Sequence, residues 1–576
     1  MKYRVHAGSV ALLITVAAGA ALAQQPPAGA PPPGAPPAGA PAGGPPGGPP
    51  GGPAGMPGGG PGGAMPAMPG APSQSAIFIA NGAELAAKEY RPGQYDASLK
   101  STADGIRIQD LSLQSGDFTF NGIVATGPKS VVTLERAKIH LGVTRAAGAR
   151  DAGGAAVVAS EGATININDS DLTVDGAQRY VVETTEDARL IVNDSRVTQT
   201  GSNAFTASQK EPFSNDALFI YGIARSNMST ARSKTYYFNS VVTTEGWAAL
   251  STDAAAKPGL DLYVYNTRGI AQHGGYGTYA DFDCRVWLYG STLSSPEVGA
   301  IISKSGQITI ADGASAPADV LRYNRGKTTS AGSVVTAGRN AVMIHAPDMM
   351  GEGRGAADSG TLTIRNSTLA TDRSLKGTRD YATHISKAAA AYIDYIAGAD
   401  LLLKSTSATI DLDGAKLRSY SNVLIMTVLN SDRMGNFLKS ESDGAAVKPI
   451  AVSMKNMNVT GDVRHMDYQR IMTLALEDTT LKGAIVSGSV NDWNGLWAKF
   501  ERKDMKWVQN DAWNTFYGVR VTLGKGATWD VTGPSLLSAL TVQPGARLKG
   551  KVSVDGKPVV PVAGTTYQGR IALTPG

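Results

Sequence analysis

The sequence predicts an all-β solenoid carried on an unfolded arm. Three observations predict it. A short strand phrase returns along most of the chain. The phrase has period 2, and no helical pattern of comparable persistence separates its copies. Proline is concentrated in one N-terminal block, so the 31 prolines and 68 glycines of the 576 residues average over unlike parts. The single cysteine, Cys284, excludes a disulfide scaffold and a multi-cysteine zinc site.

Residues 1–23 read as a signal peptide. Lys2 and Arg4 make a basic start, an apolar run extends from Val10 to Ala20, and Ala21-Leu22-Ala23 supplies small residues at −3 and −1. The run is short for a membrane span of about 20 residues. Further on, the most apolar stretch, Ala388–Leu403, is interrupted by Asp394 and Asp400. The mature chain is therefore expected to lack a transmembrane segment. Its net charge falls from +5 to +3 once Lys2 and Arg4 are gone, too little to draw nucleic acid.

Residues 24–74 read as a disordered linker. Within 26–72, 34 of the 47 positions are proline or glycine and none is charged. Such a segment has too little apolar surface to offset its ordering entropy. Pro31-Pro32-Pro33 and Gly58-Gly59-Gly60 break the strict glycine period of collagen. It is a spacer, or else a ligand for a proline-binding module.

From residue 75 to 565 the repeats take over. Thr164-Ile-Asn-Ile-Asn-Asp-Ser-Asp-Leu172 returns as Leu190-Ile-Val-Asn-Asp-Ser-Arg-Val197, Tyr236-Tyr-Phe-Asn-Ser-Val-Val242 and Val286-Trp-Leu-Tyr-Gly-Ser-Thr-Leu293. Later copies include Thr409-Ile-Asp-Leu-Asp-Gly-Ala-Lys-Leu417. The last apolar residues before the turns fall at 167, 192, 238, 264, 288, 364, 412, 454 and 476. The gaps read as one, two or three units of 21–26 residues. Strand, tight turn and strand, repeated at that interval, describe a coil too small to bury its own apolar face, so neighbours must stack. Ile410, Leu412 and Leu417 should point inward, and Asp411 and Asp413 outward. Some 17–20 coils at about 4.8 Å each would give a rod on the order of 80–95 Å. Residues 566–576 are left as a tail.

These repeats resemble right-handed parallel β-helix proteins of the pectate-lyase-like superfold. The resemblance is most specific in Val521-Thr-Leu-Gly-Lys-Gly-Ala-Thr-Trp-Asp-Val-Thr-Gly533 and Ser535-Leu-Leu-Ser-Ala-Leu-Thr-Val542. These coils are similar to those of autotransporter passengers and adhesin-like β-helices. The resemblance implies a secreted protein, extracellular or periplasmic, with a stalk-like or adhesive role. Passengers continue into a translocator barrel, whereas this sequence ends at Gly576 directly after the solenoid, so no barrel is expected.

Parallel β-helices also include lyases and hydrolases of acidic polysaccharides. Clustered aspartates with an Arg-Ile-Lys step are not found, and Val286-Trp-Leu-Tyr289 lacks the acid and histidine of a Trp-x-Asp-His signature. Gly326-Lys327-Thr328 ends like a phosphate loop, but Leu321 occupies the required glycine position.

Two clusters are candidate ligand sites. His273, Tyr276, Tyr279, Asp281 and Asp283 crowd into 11 residues rich in glycine. The tyrosines could stack on sugar rings, and on one strand the two aspartates would share a face about 6.5–7 Å apart. The alternative is a tight coil corner with exposed acids. Trp493, Trp497, Trp507 and Trp513, interleaved with lysine and arginine, suit an acidic glycan or a protein partner. The alternative is apolar ballast near the open end of the solenoid. Cys284 reads as a small buried residue. The expectation is an exported, non-catalytic β-helix protein with a surface, adhesin-like or envelope role, binding polysaccharide or a cell-surface component. The alternative is a lyase or hydrolase acting on acidic glycans. Neither metal nor cofactor is called for.

Overall fold

The computed structural model describes residues 75–84, 95–102, 105–116, 120–142, 154–176, 179–200, 214–215, 220–221, 224–253, 259–303, 305–345, 359–375, 394–404, 406–428, 448–467, 470–487 and 518–576. The proposed signal peptide, the proline-rich arm and the tryptophan cluster at 493–513 lie outside these residues.

Among the described residues, 41 strands join one hydrogen-bonded sheet that winds as a right-handed parallel β-helix. Three strand stacks make its walls. Stack 1 contains Thr164–Asn168, Arg189–Asn193, Lys234–Phe238, Asp261–Tyr265, Arg285–Tyr289 and Gln307–Ala311. Stack 2 contains Asp171–Asp175, Arg196–Thr200, Val241–Thr244 and Arg268–Ala271. Stack 3 contains Tyr180–Thr184, Ala224–Thr230, Trp247–Asp253, Tyr276–Ala280, Val298–Ser303 and Asn340–His345. Within each stack the register joins equivalent residues of successive coils, so apolar side chains align in columns. Ile167, Val192, Val264, Leu288, Ile364 and Leu412 share one such column and are all fully buried. Ile410 and Leu417 are also buried, while Asp411 and Asp413 lie on the outer side.

The corner between stacks 1 and 2 explains the recurring Asn/Asp-Ser step. Asp169, Asp194, Asn239 and Asn266 sit at φ +50, +48, +51 and +47, the left-handed region that asparagine and aspartate tolerate best among residues with a side chain. The next residue turns inward and carries a hydroxyl. The amides of Ser170, Ser195, Ser240, Thr267 and Ser291 donate to the hydroxyls of Ser195, Ser240, Thr267, Ser291 and Ser333, at 3.0, 3.1, 3.2, 3.1 and 3.0 Å. Most of these hydroxyls in turn donate to the carbonyl two residues back, as Ser240 does to Phe238 at 2.8 Å. A buried ladder of hydroxyls thus satisfies amides that the turn removes from the strand pairing.

Two expectations are corrected. The described coils number fewer than 17–20. Stack 1 pairs fourteen strands between Ile108 and Val542, about 60 Å at ~4.8 Å per step. The gaps near 46, 48 and 42 residues are single coils, because Val192 pairs with Tyr237, Ile364 with Leu412 and Leu412 with Met454. Phe238 is also not the inward residue of its phrase. Tyr237 takes that place, and its hydroxyl donates to Asn227 Oδ1 at 2.9 Å inside the coil, while Phe238 joins an outer cluster.

Both ends of the solenoid are closed by antiparallel pairing. Tyr95–Thr102 folds against Gly105–Ser115 at one end. At the other, Thr566–Thr574, set apart in the sequence as a tail, pairs with Ser535–Val542 and Lys551–Val554. Such closure covers edges that would otherwise template further strands. No helix among the described residues is long and apolar enough to cross a membrane.

Candidate functional site

The most distinctive surface lies on the outer side of stack 1. Strand register brings Tyr236 beside Tyr263 and Tyr263 beside Trp287 on three successive coils. A rise of about 4.8 Å per coil is close to the contact distance of flat rings. The rings therefore stack like coins, at 4.9 Å and 8° for Tyr236–Tyr263 and 4.4 Å and 5° for Tyr263–Trp287. At the Tyr236 end the row is capped by Tyr323, tilted at 52° and 4.9 Å away. At the other end the next residue of the column is Thr309, followed by Thr363. Trp287 is the last ring. No other aromatic ring of the described residues stacks on it. The row ends in a step, with an indole standing above a threonine floor flanked by Gln307 and Thr361.

A strap builds one wall of this face. Residues 312–332 leave the coil after Gln307–Ala311 and run back across earlier coils. Asp312 starts the excursion by accepting the amide of Ser315 at 3.0 Å. A short helix, Ala318–Leu321, then presents Val320 and Leu321 to Phe238, Tyr265 and Tyr289. Tyr265 Oη accepts the Thr329 amide at 2.8 Å and donates to the Thr329 carbonyl at 3.2 Å. Farther back, the Arg325 amide donates to Asn193 Oδ1 at 3.1 Å, and its guanidinium lies 3.7 Å from Glu135. The strap buries the second aromatic column and leaves Tyr263, Trp287 and Tyr323 half-buried.

Charged groups line the opposite side. Buried Asp261 accepts Arg285 Nε at 2.8 Å and Nη2 at 2.7 Å, with Lys234 Nζ at 3.8 Å. The Arg285 guanidinium lies 5.3 Å from the centre of the indole, and Arg322 lies 4.7 Å from the Tyr323 ring. Burial, reinforced by the neighbouring Tyr323, pushes the Tyr236 phenol up to about 12. Burial, then Asp261, pushes Tyr263 up as well. Both phenols keep their protons at physiological pH and remain hydrogen-bond donors. An apolar step, threonine hydroxyls and cationic donors make a surface suited to a polyhydroxylated ligand.

The residues singled out in the sequence fall elsewhere. His273 is exposed in a bend before stack 3. Tyr276 is 2% exposed, edge-on to Trp247 at 5.8 Å and 5.7 Å from the partly exposed Tyr279. Most of the tyrosine surface is thus taken up by the protein itself. Asp281 and Asp283 do not share a strand face. The Cys284 amide bonds back to the Asp281 carbonyl at 2.6 Å, and Asp283 sits at φ +55. This is a turn that buries Asp281 and exposes Asp283. Cys284 is fully buried, and burial, then Asp281, holds its thiol well above the usual range. No group of three or more His, Cys, Asp or Glu among the described residues is arranged to hold a metal ion.

The aromatic row did leave a signal in the sequence. Tyr236, Tyr263 and Trp287 occupy one position of three successive phrases, and register turns that position into a column. Tyr323 left none, because the strap reaches the row only through the fold. No protein-family model matches the chain, and a search of curated proteins finds no match.

Proposed function

We propose that this chain is an exported β-solenoid that binds glycan, presenting the Trp287 step of stack 1 to polysaccharide at a cell surface or in the envelope. The observation that carries the reading is the stacked row Tyr236–Tyr263–Trp287, which ends on an indole above Thr309 and Thr363. A sugar ring laid on the threonines would place its apolar face against the indole. Its hydroxyls would meet threonine, Gln307 and the Arg285 edge. The signal-like residues 1–23, the spacer-like arm 24–74 and the similarity of residues 521–542 to autotransporter passenger coils support display outside the cytoplasm. In this reading the role is adhesive or structural, with the solenoid as a stiff carrier.

Glycan-array binding by the purified chain, repeated with Trp287→Ala and Trp287→Phe, tests the proposal. Truncating an aromatic anchor typically costs about 2 kcal/mol or more, roughly thirtyfold in affinity. The alanine variant should lose its signal and the phenylalanine variant keep part of it. Equal binding by all three, or no glycan bound by any, would overturn the reading.

A further inference from the structure

Stack 3 carries a charge on its outer side that has few hydrogen-bond partners among the described residues. Register sets Tyr180 beside Arg225, Arg225 beside Ala248 and Ala248 beside Tyr276 on four successive coils. Arg225 and Asp253 side chains are only 12% and 16% exposed, yet their closest approach is 4.0 Å, too long for a hydrogen bond. The other close contact of the guanidinium is Nη1 with Met228 Sδ at 3.3 Å, a weak acceptor. Guanidinium carries five N–H donors, and most of them meet no oxygen of the described residues. Burial works against the charge, and the phenols of Tyr276 and Tyr180, then Asp253, outweigh it, so the guanidinium is held above its ordinary pKa. Ala248, between Arg225 and Tyr276, brings no polar side chain that competes for the donors.

The backbone beside this column is strained. Trp247 holds φ +94, a conformation that a bulky residue rarely adopts, and packs edge-on against Tyr276. A Cβ on Gly275 would come within 2.1 Å of the Trp247 carbonyl oxygen, so the two coils touch closely here. Strain of about 1–3 kcal/mol persists where the surroundings fix it, and it concentrates at ligand sites.

We propose that Arg225 is an oxyanion-receiving site, in which a carboxylate, sulfate or phosphate group engages the guanidinium between the Tyr180 and Tyr276 phenols. The planar fork of the guanidinium suits two oxygens of such a group, and the Tyr180 phenol adds a hydroxyl donor, while Tyr276 Oη already pairs with Ser251 Oγ at 3.4 Å. The site is on a different stack from the Trp287 step and does not depend on it.

Calorimetric titration of the full chain with inorganic sulfate, inorganic phosphate and galacturonate, each taken separately, tests the proposal and separates the anion classes. At least one should bind saturably. Arg225→Gln should weaken that binding at least about tenfold, as loss of a charge-assisted bidentate contact does. Asp253→Asn removes a competing carboxylate and should strengthen it severalfold, an arm that stands even if the Arg225 variant does not fold. Absence of saturable binding by all three anions, equal binding by Arg225→Gln, or weaker binding by Asp253→Asn would overturn the proposal.

Discussion

The hydroxyl ladder can be tested at Ser240→Ala. Ser240 is 2% exposed, accepts the Ser195 amide at 3.1 Å and donates to the Phe238 carbonyl at 2.8 Å. The Phe238 carbonyl keeps a second donor, the Asp194 amide at 3.0 Å. The Ser195 amide loses its hydroxyl partner, and Ser195 is itself 5% exposed, so water does not readily replace it. An orphaned buried donor costs about 1–3 kcal/mol. With a midpoint of about 2 kcal/mol, local opening becomes roughly thirtyfold more frequent. Amide hydrogen exchange read at Ser195 should accelerate by that factor, and the urea midpoint should fall. Ser240→Thr keeps the oxygen, and Thr267 holds the equivalent place one coil on, so it should stay within about 1 kcal/mol of the parent. A Ser195 amide exchanging at the parent rate in Ser240→Ala would refute the ladder as a stabilising element.

Other predictions follow from buried polar groups. Arg179 is fully buried and donates to the carbonyls of Gly154, Gly142 and Phe120 at 2.8, 2.6 and 3.0 Å, so Arg179→Met should destabilise by about 3 kcal/mol or more in urea unfolding. Burial pushes the Asp400 carboxyl up to about 8, and neither carboxylate oxygen has a hydrogen-bond partner among the described residues. Its folded pKa exceeds the unfolded one, so its contribution is best below pH ~4 and stability declines as pH rises toward about 8, by at most about 1.4 kcal/mol per pH unit. Asp400→Asn should flatten that decline in stability measured from pH 4 to 8. Cys284, buried with its thiol held protonated, should resist alkylation in the native chain and react once urea unfolds it, as read by mass spectrometry.

Much of the fold was legible in the sequence because a stacked coil repeats its local chemistry. Period-2 phrases identified strands, and the Asn/Asp-Ser step identified a corner whose left-handed residue and hydroxyl ladder are both in place. Coil number was not legible. A gap of about 46 residues is twice the 21–26-residue unit, and only the Val192–Tyr237 pairing shows that it spans a single coil. In Tyr236-Tyr237-Phe238 all three residues are aromatic, so alternation could not say which points inward. The site was less legible for a related reason. Tyr276 and Tyr279 drew attention by proximity in sequence, yet the fold spends most of Tyr276 on its own packing. Tyr236, Tyr263 and Trp287 are up to 51 residues apart and become neighbours through register alone. Arg225 and Asp253 lacked any local motif.

The central claim is that a glycan is held on the Trp287 step. A crystal structure of the chain with an oligosaccharide selected from the array tests it most directly. A sugar ring should lie face-on to the indole, with hydroxyls within hydrogen-bond distance of Thr309 or Thr363. A bound oligosaccharide that leaves Trp287 untouched and occupies another surface would contradict it.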